Sequence, residues 1–377
     1  MRRRSSPIAV GILGITLSAF LLPRCALAAD EGPSLLYDPF TIETARTAGM
    51  GRVASVAGDG TSATWWNPAE LAFHPEYRAA VANSDLTLFA DGDYIRSATL
   101  SGALPFGPKG LAAGVGFKRA DLGDFDLVGI DGEPIETTAF DHLYTASLAY
   151  PLSPHWSLGA QFEYVWSHLT DAIPGLNIPE DVTGGAASVG FGASFRRPIA
   201  FRSRGDVDVS NEGGDVVVTP MAGASLLHLG PQLEYSDDDE GADLFRQFRF
   251  GAGLGVEHTP PVATKPFARE RLLQFQFMTA LEVFVPMVDL DDITQQSILL
   301  HWGAEFSWFG MVSGRIGFID DDDPGGMVSR DNTYGVGLSL PDGLPVDVHF
   351  DWASVPIAAS ERIERRTLSI TFGGGGS

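Results

Sequence analysis

The 377-residue chain has one cysteine, Cys25, and three lysines, Lys109, Lys118 and Lys265. It has one long uninterrupted apolar run, Ile8–Leu22 near its start. That run follows Arg2, Arg3 and Arg4 and precedes Ala26-Leu27-Ala28, the charged, apolar and small-x-small parts of a secretory leader. At roughly fifteen residues it is shorter than the ~20 a spanning helix needs. Residues 1–28 are therefore expected to be a cleaved signal peptide, with cleavage after Ala28. A lipoprotein alternative at Cys25 fits poorly with Arg24 before it. Loss of the leader removes the only cysteine, which excludes an internal disulfide and a thiolate site.

Cationic charge is scarce too. The chain holds 25 Lys and Arg against 48 Asp and Glu, a formal charge of −23. The leader takes four arginines and no acids, leaving 21 bases and 48 acids, or −27. A surface of that sign excludes nucleic acid as a partner. The eight histidines are scattered without metal-ligand spacing. His142 and Ser147 share an expected strand but face opposite sides, so they form no nucleophile–base pair. No enzyme site and no cofactor are expected.

What the chain has in abundance is alternation. In Ser157–Leu169, Leu158, Ala160, Phe162, Tyr164, Trp166 and His168 alternate with Ser157, Gly159, Gln161, Glu163 and Ser167. A strand with one greasy and one wet face reads this way. The rhythm predicts fourteen strands near 77–90, 92–105, 109–121, 137–151, 154–170, 182–196, 215–229, 244–259, 271–286, 294–309, 310–320, 331–341, 344–354 and 362–372. A secreted chain of this kind is a soluble β-sandwich or an antiparallel barrel closed in a membrane.

The connections favour the barrel. Every second one is short and rich in turn formers: Pro105–Pro108, Pro151–Pro154, Phe309-Gly310 and Pro341–Gly343. The others are longer or acidic: 121–137, 170–182, Asp237–Glu240, Asp289–Asp292 and Asp320–Asp323. Transmembrane barrels alternate short periplasmic turns with longer outer loops. Residues 197–214 and 260–270 depart from that parity. Aromatic residues at strand ends (Tyr94, Tyr150, Trp166, Trp302, Trp308, Tyr334, Trp352) suit interfacial girdles, and Phe372 closes the last strand. The expected fold is an all-β transmembrane antiparallel barrel of about 14 strands, spanning 77–372.

The wet face is expected to line the lumen with Glu163, Arg249, Glu257, Glu282, His301, Glu305, Arg315, Asp347, His349 and Asp351. Asp320, Asp321, Asp322 and Asp323 are a weak candidate for Ca²⁺; such runs are more often solvated loops. Gly251-Ala252-Gly253-Leu254-Gly255 mimics a nucleotide loop, but within a strand its glycines spare room for something packed behind them. Gly373–Ser377 reads as a flexible tail.

Residues 29–76 lack the strand rhythm. There, Ala45-Arg46-Thr47-Ala48-Gly49-Met50-Gly51 leads through a small-residue stretch to Trp65-Trp66-Asn67-Pro68-Ala69. This pattern resembles the N-terminal stretch of the PorV/PorQ family of outer-membrane proteins, itself similar to FadL-type long-chain fatty-acid transporters. Glu70 departs from it, where that family usually has glycine. His301–Phe306, Gly314–Phe318 and Tyr334–Leu338 follow the same family's order. The resemblance implies a fourteen-stranded barrel with 29–76 folded inside as a hatch. Its motif residues are Arg46, Gly49, Met50, Gly51, Trp65, Trp66, Asn67, Pro68 and Ala69. It implies an outer-membrane location in a Gram-negative bacterium and insertion by the barrel-assembly machinery. The partners implied are outer-membrane lipid and either hydrophobic small molecules taken up past the hatch or secreted protein cargo. An acidic lumen leaves a third alternative, a sealed structural barrel.

Overall fold

The computed structural model describes residues 44–85, 94–104, 110–128, 134–170, 181–202, 215–235, 244, 246–259, 274–287, 298–320, 331–340, 346–358 and 361–372. The leader with Cys25, the acidic runs 237–240, 289–292 and 321–323, residues 203–214 and the tail 373–377 lie outside the described residues.

The first six strands are β1 (Tyr77–Asp85), β2 (Tyr94–Ala103), β3 (Ala112–Val128), β4 (Pro134–Pro151), β5 (Trp156–Thr170) and β6 (Val182–Arg196). Then come β7 (Ile199–Arg202), β8 (Asp215–Leu229), β9 (Glu234–Tyr235), β10 (Gln247–Thr259) and β11 (Phe275–Pro286). The last five are β12 (Leu299–Trp308), β13 (Val312–Asp320), β14 (Asp331–Ser339), β15 (Val346–Ala358) and β16 (Glu361–Phe372). Fourteen of these form one antiparallel ring, with β7 and β9 as short additions on β8 and β6.

The ring closes where β1 meets β16, Tyr77 opposite Phe372, and where β6 meets β8, Arg196 opposite Met221. Closure leaves no edge, so every ladder group finds a partner within the sheet, as a bilayer requires. At the β6–β8 seam the register shifts between Val189 and Phe191, beside His228 at φ 60°. Two of the expected boundaries are corrected. Residues 121–137 are less a loop than an extended hairpin, paired out to Val128 opposite Pro134. In the long 197–214 connection, 199–202 form β7 against β8.

Period-two burial runs round the ring. On β5 the even positions Leu158, Phe162 and Tyr164 are exposed, while Ser157, Gln161, Glu163 and Val165 are buried. Tyr77, Tyr150, Trp156, Trp308 and Phe372 form an exposed aromatic rim at the end carrying the short turns. Trp302 and Tyr334 lie inside their strands rather than at strand ends.

Candidate functional site in the barrel lumen

A ring of fourteen strands is wide enough to stand open unless something fills it. Residues 44–73 pack against its inward side chains, and nearly all of them are buried. The segment has three helical turns. Thr44 caps Ala45–Gly49 by accepting from the Thr47 N–H. Ala63–Trp66 follows, then a 3-10 turn over Pro68–Phe73. Asn67 caps that last turn by accepting from Ala69 N–H, with Pro68 at the first position, where no N–H is needed.

Much of this segment is irregular backbone, whose polar groups need partners when buried. The wall supplies them. Ala45 N–H donates to Thr367 Oγ1 at 2.8 Å, and Gly51 N–H donates to Thr333 Oγ1 at 2.9 Å. The Thr333 hydroxyl in turn donates to the Gly49 carbonyl at 3.0 Å. Ser147 and Ser157 donate to the carbonyls of Thr64 and Ala69. Glu282 Oε2 accepts from the N–H groups of Ala54 and Ser55, at 3.0 and 2.7 Å.

Close approach demands glycine on both sides. A Cβ on Gly317 would stand 2.0 Å from Gly51 N, and one on Gly303 2.1 Å from Met50 O. Gly49 abuts Gly335, Pro68 and Ala69 sit against Gly159, and the Trp65 ring covers Gly116. Of the three glycines in 251–255, Gly251 faces Ser55 and Val56, whereas Gly253 and Gly255 meet only wall residues.

The inward charges fall into three groups. Arg46 donates to both oxygens of Glu305, at 3.0 and 2.9 Å, and to the Ala57 carbonyl at 2.6 Å. Arg315 joins Glu305 to Asp351, which also meets His349. Arg249 pairs with Glu282 at 2.6 Å, both fully buried, and its guanidinium lies 4.1 Å from the Trp66 ring centre. Gln247 connects Arg249 to His228, which bonds Glu163 at 2.6 Å. The third group is in the segment's last turn, where Glu70 is held by Ser194 and Arg196. Glu257, on the same parity as Arg249, is half-buried, as is Asp347.

Burial raises the Glu70 carboxyl above its ordinary range despite Arg196 and Ser194 beside it. Burial also opposes ionisation of Asp59, but Arg78, Arg46 and the Ser62 N–H overcome it and hold that carboxyl well below the usual range. At His74, burial and the charges of Arg196 and Arg78 push the imidazole well below its ordinary value.

Alternation locates the polar wall but not its apolar counterpart. Ile95, Leu143, Val165, Leu227, Ile319, Val355 and Ile363 occupy inward positions and are buried. They form one apolar cluster with Trp65, Trp66, Ala45, Ala48 and Ala54. The seven strand residues lie toward the ends away from the short turns, whereas Ser157, Glu305 and Arg315 lie nearer those turns. The sequence signal is an apolar residue on wet-face parity, as with Val165 two positions after Glu163. Phe284 is another such residue, stacked against Arg249 at 4.5 Å. Among the described residues, no three His, Asp or Glu side chains are grouped as a metal site.

The chain matches no family model. It matches no curated protein sequence either. Solved structures do resemble it. The Ralstonia pickettii toluene transporter TbuX aligns over 89% of this chain and 98% of its own, at 12% identity and a TM-score of 0.42. The monoaromatic hydrocarbon channel CymD aligns over 90% and 99%, at 13% identity and 0.46. A Pseudomonas aeruginosa FadL homologue aligns over 88% and 99%, at 12% identity and 0.39. At such identities and scores the likeness is one of barrel architecture.

Proposed function

We propose that this chain is an outer-membrane channel for hydrophobic small molecules, such as long-chain fatty acids or aromatic hydrocarbons, with residues 44–73 as its hatch. The observation that carries this reading is the inward apolar cluster on the outer strand halves, ending on Trp65 and Trp66. A lumen built only for water or for structural filling has no need of Leu143, Val165 and Leu227 on its wet parity. Such a wall holds an apolar solute at ~25 cal/mol per Å² of apolar surface that it keeps from water. The polar clamp around Arg46, Arg249 and Glu70 then closes the way until the hatch shifts. The PorV/PorQ-like pattern of residues 45–69 fits a FadL-like channel and a PorV-like secretion accessory alike.

The test is uptake of a long-chain fatty acid or toluene into liposomes carrying the folded barrel. Uptake above empty vesicles is expected, and Val165→Glu should reduce it by putting an unpaired charge in the apolar wall. A folded barrel with no uptake would overturn the proposal. It would favour a sealed barrel, a reading supported by the complete burial of Trp66, Arg249 and Glu282.

A further inference from the structure

On most of the ring's outer wall the exposed side chains are apolar from end to end. On β5 the outward positions run from the exposed Trp156 to the half-buried Trp166, ten residues apart. At ~3.3 Å per residue and ~40° tilt that is about 25 Å, the height of a membrane band. On β16 the run is shorter: Phe372, Ile370 and Leu368, then Arg366. Arg366 therefore stands only ~15 Å above the aromatic rim, so on this face the outer boundary of the apolar band dips to the arginine row.

Its neighbours repeat the interruption. Arg366 is opposite Asn83, Asn83 opposite Arg96, Arg96 opposite Arg119, and Arg119 opposite His142. Three arginines in one outward row stand out in a chain of net charge −23. Arg119 pairs with Asp121, and Arg366 with Glu364. Arg96 meets no carboxylate among the described residues; it donates to the Asn83 amide oxygen and lies over the Tyr94 ring.

The next outward row, toward the rim, is Phe350, Leu368, Val81, Ala98 and Phe117. Small Ala98 and Val81 between the two phenylalanines leave a groove of about 470 Å³, with Arg96 and Arg366 at its upper edge. An apolar trough under a pair of guanidiniums has the shape and charge of an anionic lipid's complement.

We propose that this face binds the phosphorylated glycolipid of the outer leaflet, lipid A, with its phosphates on Arg96 and Arg366 and acyl chains in the groove. The two arginines are two strand spacings apart, about 10 Å, which suits a disaccharide bearing a phosphate at each end. A second copy of the chain fits worse, because a two-fold contact here sets arginines against arginines. The proposal rests on the outer-membrane placement of the barrel and not on transport through it.

The experiment titrates the full barrel, folded in uncharged detergent, with diphosphoryl lipid A, dephosphorylated lipid A and phosphatidylglycerol, and counts retained lipid by native mass spectrometry. One tightly held diphosphoryl lipid A is expected. Binding should weaken about tenfold or more in the Arg96→Gln/Arg366→Gln variant. Ala98→Phe fills the groove while keeping both arginines, and should also weaken it. Heat-modifiable mobility on gels confirms that each variant is folded. Equal binding of the dephosphorylated lipid, equal binding of phosphatidylglycerol, unchanged binding by both variants, or a dimer cross-linked through the groove would each overturn the proposal. None of these outcomes bears on uptake, so this inference and the channel reading fail separately.

Discussion

Two kinds of residue hold the lumen's contents: glycines that let backbones touch, and buried charges that answer one another. Gly317→Val forces a side chain into Gly51, so the cost is that of overpacking, about 1–3 kcal/mol. The expected result is a barrel that still folds but whose segment 44–73 becomes open to limited proteolysis. Glu282→Gln keeps an acceptor for Ala54 and Ser55 but leaves Arg249 buried without a counter-charge. Breaking a buried pair in this way costs about 3–5 kcal/mol, read from urea unfolding in vesicles. Replacing both members, Arg249→Met with Glu282→Gln, should cost less than the single change, because no lone charge remains and Ala54 and Ser55 keep their acceptor.

The segment 44–74, taken as an element, has a pH dependence set by three buried titratable groups. His74 titrates well below 6.5 in the folded protein, so its contribution is present above 6.5 and lost as pH falls through that value. Unfolded chains bind the extra proton there, and stability falls on acidification. Asp59, also depressed, adds the same sign only below 3.8. Glu70 has the opposite sign: its raised carboxyl favours the folded segment at pH below 4.5, and that contribution is lost as pH rises above 4.5 through its folded value. Between about pH 7.5 and 5.5 His74 therefore works against the folded segment as its unfolded form takes up a proton, while the raised Glu70 acts in the opposite sense. The protection factors of residues 45–74, which correct for the intrinsic slowing of exchange in acid, should fall over that interval, and His74→Gln should flatten the response.

For the whole molecule, the question is whether residues 44–73 must move. Gly114 and Thr64 permit a direct test, since a Cβ on Gly114 would lie 3.3 Å from the Thr64 Cβ. That is close to disulfide spacing. Cys25 is the only native cysteine, so Gly114→Cys with Thr64→Cys in a Cys25→Ser background gives a single lock. Oxidised, the variant should lose uptake of hydrophobic solute; reductant should restore it. Uptake at the unlocked rate in the oxidised form would mean that solute passes a stationary segment.

Alternation was enough, read residue by residue, to count the strands and say which side of Ser157–Leu169 is wet, because a pleated strand leaves a side chain no third direction. The inward placement of Glu163, Arg249, Glu282 and Arg315 follows from the same parity. Three things were not legible. The length of the β3–β4 hairpin depends on pairing between Val128 and Pro134, not on either segment's own pattern. The selection of Thr333, Thr367 and Ser147 as clamps depends on which wall residue meets which carbonyl. The apolar cluster is scattered over residues 95 to 363 and exists only once closure brings those strand halves round one axis. Local periodicity thus determined the wall. What the wall encloses, and which residues it closes on, was decided by contacts between residues hundreds of positions apart.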